Sequence, residues 1–466
     1  MKLILLSGGS GKRLWPLSND SRSKQFLKVL RNQDGEFESM VQRVWRQLGK
    51  ANLQQDTYIA TSMNQTEVLR NQLGEQVPII TEPERRDTFP AIVLAASYLA
   101  SEVNVDPDET VVVLPVDPYV EYDFYERVEE LCRVVDRFEA NIALMGVRPT
   151  YPSEKYGYIV PDQQLNRIDR ESVLRVSHFR EKPRQDQASE LIEQSALWNC
   201  GVFAFKLQFA IRLLEQRNLP VSFPELVKEY GRLTKKSFDH EVVEKTNNIV
   251  ALPYEGTWKD LGTWNTLTEE MNTSQIGIGI VSEDSHNTHL INELNIPVTI
   301  TGLSGIVVAT SPDGILVADK ASTPRLKELV HGLNQRPMHE ERRWGEYSVV
   351  DYTEFPDGRK SLTKKIRIFA GKNLSYHFHF KRSEVWTIIA GSGELVLEEE
   401  HRLVREGDVI HIPPNCKHSI LASETMDIIE VQLGTSLIEE DIYRLTMDWT
   451  EILGFWIASQ RNEVEA

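Results

Sequence analysis

Ser7 to Leu27 reads SGGSGKRLWPLSNDSRSKQFL and directly follows the apolar run Leu3 to Leu6. Glycines at 8, 9 and 11 let an anion approach the backbone. Arg13 supplies a charged fork and Lys24 a mobile point charge, the two side chains that grip phosphate. A helix opening after this turn would aim its first amides at the same anion. The turn is neither of the two best-known phosphate loops, because Leu6 stands where a Walker loop needs its first glycine, Arg13 where it needs a hydroxyl, and Leu14 where GxGxxG needs its last glycine. On the glycines alone, a tight turn without a ligand is an equal reading. Asp117, in VVVLPVDPYV, and Asp260, in YEGTWKDLGTW, shift that balance. Either alone reads as a turn cap, but together they suit one hard divalent cation such as Mg²⁺, whose other ligands would be phosphate oxygens and water. A third set lies far along the chain. His377 and His379 alternate on one strand and so share a face. With Glu384 and His418 they form a three-nitrogen, one-carboxylate set suited to Zn²⁺, Mn²⁺ or Co²⁺.

The elements that must position these groups are legible in the periodicity. Strands are expected at Lys2 to Ser7, Thr57 to Ala60, Val77 to Ile80, Val111 to Pro115, Ile142 to Val147 and Gly201 to Phe205. Helices are expected at Glu38 to Leu48, Gln65 to Leu73, Pro90 to Val103, Tyr125 to Phe138 and Ala188 to Gln194. This alternation predicts a mainly parallel α/β sheet covered on both faces, with ligands at the carboxyl ends of its strands. After about residue 275 helices nearly vanish, and IPVTITGLSGIVVATSPDGILVADK carries three short strands punctuated by glycine and proline. A polar linker is expected at about Gly332 to Arg343, then a strand-rich region, a helical stretch from Leu437 to Ile457 and a frayed acidic tail, Asn462 to Ala466.

A chain of 466 residues suggests three units at about 150 residues each. A net charge of −17 argues against nucleic acid or an anionic membrane as principal partner, so any phosphate site must be locally basic. No apolar stretch approaches the ~20 residues that span a bilayer, and the apolar start is broken by Gly8 without a cleavage-like sequence. Three scattered cysteines, Cys132, Cys200 and Cys416, give neither a disulfide framework nor a zinc pattern, which fits a reducing cytoplasm. The oligomeric state is left open, a homo-oligomer included.

GGSGKRLWPLSNDSRSKQFL resembles the signature of the sugar-1-phosphate nucleotidylyltransferases, in particular their mannose-1-phosphate guanylyltransferase branch. EPERRDTFPAI, LPVDP, GVRPTYPSEKYGYI, FREKP, WNCGVF and WKDLGTW continue the resemblance in order over about 260 residues. The resemblance implies a Rossmann-like GT-A fold over residues 1–270 that joins GTP and mannose 1-phosphate into GDP-mannose and pyrophosphate for glycan synthesis. It makes Gly8, Gly9, Gly11, Arg13 and Lys24 the phosphate grip, Asp117 and Asp260 the Mg²⁺ pair, and Glu82, Arg85, Arg86 and Thr88 the nucleotide pocket. It places Gly157, Glu181, Lys182 and Asn199 at the sugar phosphate, with Lys182 reaching the phosphate. Three positions depart from the family pattern: Ser23 for proline, read as a backbone adjustment, Asp87 for asparagine, and Pro118 for histidine. The last two lie near the base and the metal in the family pattern.

Gly371 to Gly391 obeys G(x)5HxH(x)4E(x)6G, and Gly407 to His418 obeys the companion G(x)5PxGxxH except at Asn415. Both resemble the cupin motifs and imply a β-barrel over residues 336–466, after a small left-handed β-helix-like unit at 271–335. RRWGEY, RSEVW and EVQLG echo the type II phosphomannose isomerases attached to long members of the family. Ser375, Phe378 and two extra residues after His379 break the isomerase pattern, so the cupin reads as an isomerase or as a degenerate or regulatory domain. A non-catalytic sugar-nucleotide sensor is the contrasting reading of the whole chain, and retention of the cations and both aspartates speaks against it.

Overall fold

Leu3 and Leu5 face one side of their strand and Ile4 the other, and all three are buried in separate apolar clusters. Such alternation of apolar side chains on both faces demands a sheet covered on both sides. The computed structural model describes residues 1–9, 11–19, 21–164, 173–333, 335–398, 400–439 and 441–455. Its first region contains strands β1 (Lys2–Leu6), β2 (Thr57–Ser62), β3 (Ile79–Glu82), β4 (Thr110–Pro115), β5 (Pro118–Val120), β6 (Ile142–Val147), β7 (Tyr158–Pro161), β8 (Leu174–Arg180), β9 (Leu197–Lys206), β10 (Ile249–Tyr254) and β11 (Trp258–Asp260). Nine of them form one sheet in the order β3-β2-β1-β4-β9-β6-β10-β8-β7, while β5 and β11 pair as a separate ribbon.

Pairing of β1 with β2 and β4 is parallel, as is pairing of β10 with β6. Two strands run against the rest: β9, antiparallel to β4 and β6, and β8, antiparallel to β10 and β7. The expected direction therefore holds for seven strands, and the sheet is mixed at its centre. A fully apolar run such as VFAF reads the same in either direction, so nothing local announces the reversal.

Helices α1 (Met40–Lys50), α2 (Thr66–Leu73), α3 (Thr88–Ser101), α4 (Asp123–Arg137) and α5 (Gln185–Glu193) match the expected ones to within a turn. Ser39 and Gln42 close a capping box that starts α1 two residues later than the periodicity suggests. Phe124, Val128, Leu131 and Val135 of α4 cover one face of the sheet, and Phe89, Ile92, Val93 and Leu99 of α3 cover the other.

Beyond α5 and the main sheet the chain winds into stacked coils. Gln275–Ile276, His289–Asn292 and Ile306–Ser311 pair in parallel, as do Gly279–Val281 and Val298–Ile300, which is the β-helix-like packing expected of this stretch. Leu14, Leu17 and Leu27 of the glycine-loop segment pack with Trp264, Ile291 and Val307, so this unit is built onto the loop. The supposed linker is corrected: His339–Arg342 is a strand paired with Gly345–Glu354. Glu341 is matched from the first region by Lys28 and Gln72, and Glu340 locally by Arg342 and the Tyr347 hydroxyl, so polar composition misread a docked strand as a spacer.

The last region is two antiparallel sheets, of six and five strands, closed over Leu362, Trp386, Ile410, Ile420 and Ile428. The helical expectation for its end is also corrected in part. Tyr443–Thr446 is a strand pairing with Tyr376–Phe378, and among the described residues of this stretch only 449–455 are helical. Residues 456 and 457 and the acidic tail lie outside the described residues. No helix among the described residues is long and apolar enough to cross a membrane.

Candidate functional site

The parallel edge of the sheet decides where the first site forms. Register Leu6↔Pro115 puts the glycine turn after β1 beside Val116 and Asp117 after β4. No α-helix follows the turn; Lys12–Leu14 makes one 3-10 turn and stops. Pro16 disfavours helical backbone at the residue before it, and Trp15 is extended at ψ 141°. Bare amides, not a helix terminus, are what the loop offers an anion. Ser7 to Gly9, Lys24, Glu82 and Arg85 to Thr88 line one cavity of about 260 Å³. Burial pushes the Glu82 carboxyl above its ordinary range, and it accepts a hydrogen bond from the Tyr230 hydroxyl at 2.7 Å. Arg86 is committed in part, donating to the Leu233 carbonyl, and the Thr88 hydroxyl accepts from the Phe238 amide at 2.8 Å. Asp87, one of the departures, sits at φ 73° and caps α3 by accepting from the Thr88 amide.

Asp117 and Asp260 meet because β5 and β11 pair antiparallel with Asp260 opposite Pro118. Lys24 Nζ lies 2.7 Å from Asp117 Oδ2 and 2.9 Å from Asp260 Oδ1, so both carboxylates converge on one point of positive charge. Burial opposes the Lys24 charge, but the two carboxylates outweigh it and hold the ammonium above its usual range. Burial likewise opposes the Asp260 charge, and Lys24, with Arg13 beyond it, holds that carboxyl low. Arg13 itself is exposed on the 3-10 turn.

A second cavity joins the first at Pro115 and Asp117 and is lined by Gly157, Glu181, Asn199, Asp239 and Asp260. Gly157 is required by space: a Cβ there would lie 2.4 Å from Phe179 Cζ and 2.6 Å from Glu181 Oε2. Lys182 bonds the buried Glu181 at 2.5 Å while staying half exposed. Asp239 was not anticipated. It lies in SFDHE, where an acid after serine reads as helix N-terminal decoration, yet its Oδ1 accepts from Asn199 Nδ2 at 2.8 Å inside the cavity. Burial, and then the neighbouring Glu181 charge, push its carboxyl up to about 7. Tyr156 and Trp258, packed edge to face at 5.5 Å, were missed as lining residues too, because aromatic residues in a β-rich stretch read as core.

The cupin histidines also come together. His377 stands directly opposite His418, and the ligand nitrogens of His377, His379 and His418 lie within 4.8 Å of one another. Nδ1 of each ring sits against a backbone carbonyl, of Ser375, Asp441 and Cys416 in turn, which assigns the proton to Nδ1 and makes Nε2 the ligating atom, although that of His379 also faces Arg382 Nη2 at 3.3 Å. His418 Nε2 is buried without a hydrogen-bond partner among the described residues. Glu384 is 3.2 Å from His379 but accepts from Arg382 Nε at 2.9 Å and Trp386 Nε1 at 3.1 Å, so it stands beside the triad with its oxygens engaged. Phe378 packs on Phe380 and Tyr443 instead of joining the histidines. Glu67 of α2, from the first region, lines this cavity together with Arg342, Arg444 and Glu439.

A phosphate-type loop, paired aspartates at the carboxyl ends of a mixed α/β sheet and a histidine-bearing β-barrel define a nucleotide-handling transferase joined to a cupin. Residues 2–275 match the family model described as nucleotidyl transferase, and residues 331–447 match that of the mannose-6-phosphate isomerase C-terminal domain. The chain belongs to the nucleotidyl transferase family. It is 28% identical to the mannose-1-phosphate guanylyltransferase of Salmonella montevideo over 95% of this chain and 98% of that protein. It is 30% identical to the alginate biosynthesis protein AlgA of Pseudomonas putida over 95% of this chain and 94% of that protein. A solved structure described as mannose-1-phosphate geranyltransferase from Thermus thermophilus superposes with a TM-score of 0.59 at 27% identity, covering 72% of this chain and 99% of that one.

Proposed function

We propose that this chain transfers the guanylyl group of GTP to mannose 1-phosphate, releasing pyrophosphate and forming GDP-mannose. Residues 1–270 would carry the transfer, 271–335 would brace it, and 336–466 would form the cupin. The observation that carries this reading is the convergence of Asp117 and Asp260 on a single cation at the junction of two cavities. Two half-buried carboxylates that share one ammonium fit a divalent cation equally well, and they would hold Mg²⁺. When bound, that ion supplies charge neutralisation for the triphosphate.

The nucleophile, a sugar phosphate oxygen, is already an anion, so no dedicated base is needed. The obstacle is repulsion between two polyanions brought together. Gly8, Gly9 and Gly11 offer backbone amides close to the triphosphate, Arg13 and Lys24 add charge there, and Lys182 does so for the hexose phosphate. Glu181 and Asn199 orient the hexose by its hydroxyls, and Glu82, Arg85, Arg86 and Thr88 surround the base and ribose. Orientation of the two phosphates is then the main source of rate.

The test is pyrophosphate release over a matrix of nucleoside triphosphates and hexose 1-phosphates, in wild type and Asp260→Asn. GTP with mannose 1-phosphate is expected to be the fastest pair, and Asp260→Asn to lose at least about 100-fold in kcat while remaining folded. Near-normal turnover in that variant would sink the carboxylate-pair assignment. The three convergent Nε2 atoms favour a second activity, interconversion of mannose 6-phosphate and fructose 6-phosphate in the cupin, which a coupled assay with added Zn²⁺, Mn²⁺ or Co²⁺ would detect.

A further inference from the structure

Gln65 is fully buried and lines neither of the two cavities of the first region described above. It immediately precedes α2, and its side-chain amide lies between three separate stretches of chain. Its Nε2 donates to the Gly9 carbonyl at 3.2 Å and to Ser23 Oγ at 2.6 Å. Its Oε1 lies 3.2 Å from the Thr61 hydroxyl and accepts from Gln25 Nε2 at 3.4 Å. Both donors and the acceptor of one amide are thereby used, which fixes its orientation as well as its place. Ser23 completes the triangle by donating its own hydroxyl to the Gly9 carbonyl at 2.7 Å.

These partners are not scattered. Gly9 belongs to the turn that faces the nucleotide cavity, and Ser23 immediately precedes Lys24, whose ammonium sits on the aspartate pair. The two segments also press together through the backbone, since a Cβ on Gly11 would lie 2.7 Å from Ser23 Cα and 2.8 Å from the Asn19 carbonyl oxygen. Gly11 has to be glycine because the segments are that close. Close contact alone leaves the turn free to tilt about it; the Gln65 amide, bonded to both sides, removes that freedom. The departure of Ser23 from the family's proline is accordingly more than a backbone adjustment. Its φ of −71° is one that proline would also adopt, and here the serine hydroxyl ties the turn by hydrogen bonds where a ring would stiffen it covalently.

We propose that Gln65, acting through Ser23 and the Gly9 carbonyl, is a positioning residue for nucleotidyl transfer that sets the spacing between the glycine turn and Lys24. The inference rests on the nucleotidyl-transfer reading and goes one step past it, to a residue that touches no substrate. Because the pair acts on the triphosphate side only, its loss is expected to weaken GTP and leave the hexose phosphate site as it was.

The experiment compares Gln65→Met, close in volume and without donors, with wild type. Isothermal calorimetry reads GTP affinity, steady-state pyrophosphate release reads both KM values, and thermal unfolding reads integrity. Gln65→Met is expected to bind GTP about tenfold more weakly and to raise the KM for GTP by a similar factor, with the KM for mannose 1-phosphate within about twofold of wild type. Gln65→Asn, which keeps the amide but falls a methylene short of Gly9, carries the same comparison should the methionine variant unfold early. Unchanged GTP affinity in both variants, or equal weakening of both substrates, would overturn the proposal. Calorimetry needs no turnover, so a wild-type chain that bound GTP and released no pyrophosphate would count against the transfer reading alone and leave the affinity comparison to decide on Gln65.

Discussion

Lys24 and Asp260 are 236 residues apart in the chain, and their charged atoms lie 2.9 Å apart in the fold. The β5–β11 ribbon brings Asp260 beside Asp117, and the 3-10 turn Lys24–Phe26 delivers the ammonium between them. Lys24 therefore holds the carboxylates together, and in the proposed transfer it would also meet the triphosphate once a cation took its place between them. Lys24→Met should lower kcat by about 10²–10³ and leave two neighbouring carboxylates without their counter-charge. Pyrophosphate-release kinetics checks the first effect, and tighter Mn²⁺ binding in the absence of nucleotide, read by electron paramagnetic resonance, checks the second.

Asp239 carries a pH dependence. Burial and the Glu181 charge place its carboxyl at about 7, so it keeps its proton below neutrality and ionises above. Ionisation puts a second negative charge beside Glu181 in the cavity proposed to accept the hexose phosphate dianion. The KM for mannose 1-phosphate is expected to rise as pH increases through 7 and to lose that inflection in Asp239→Asn. The same shift makes Asp239 a stability cost that begins above its unfolded value and grows up to pH 7, so Asp239→Asn should unfold at a higher temperature than wild type at pH 8 and no higher at pH 3.

Arg22 joins all three regions. Its guanidinium is 2.9 Å from Glu293 in the coiled unit and 3.7 Å from Glu341 in the first strand of the last region. Arg22→Met would leave Glu293 without this counter-charge and Glu341 with Lys28 as its remaining cation, a change that costs about 3–5 kcal/mol. A fall in melting temperature, together with faster proteolysis between residues 319 and 339, is the expected outcome of limited digestion and thermal scans.

For the cupin, the engaged state of Glu384 separates it from the histidines. His418→Ala should abolish binding of one transition-metal ion per chain, measured by elemental analysis after dialysis. Glu384→Gln should retain the ion with affinity reduced by about 10–100-fold, as expected when a neighbouring group and not a principal ligand is altered. Equal loss in the two variants would make Glu384 a full ligand.

Much of this was legible in the chain. Six of the nine main-sheet strands and helices α1 to α5 followed from the spacing of apolar residues, whereas β7, β8 and β10 were not among the expected strands; the glycine turn, Asp117, Asp260 and the cupin histidines were each visible because their motifs are local. Asp239, Tyr156 and Gln65 were not, since an acid after serine, an aromatic in a β-rich stretch and a glutamine before a helix look the same with or without a site. The His339–Arg342 strand was hidden because its Glu341 is compensated from residues some 270 to 310 positions earlier.

By itself the sequence determined which groups exist for chemistry and where the strongly periodic strands and helices lie, because period and turn chemistry act over a few residues. Tertiary structure decided what meets what: that β9 enters the sheet reversed, that Lys24 is shared by two distant aspartates, that Gln65 ties the glycine turn to Ser23, and that Glu67 walls the cupin cavity. Those outcomes rest on strand register, burial and the pairing of charges across hundreds of residues, and no short window of sequence contains both partners.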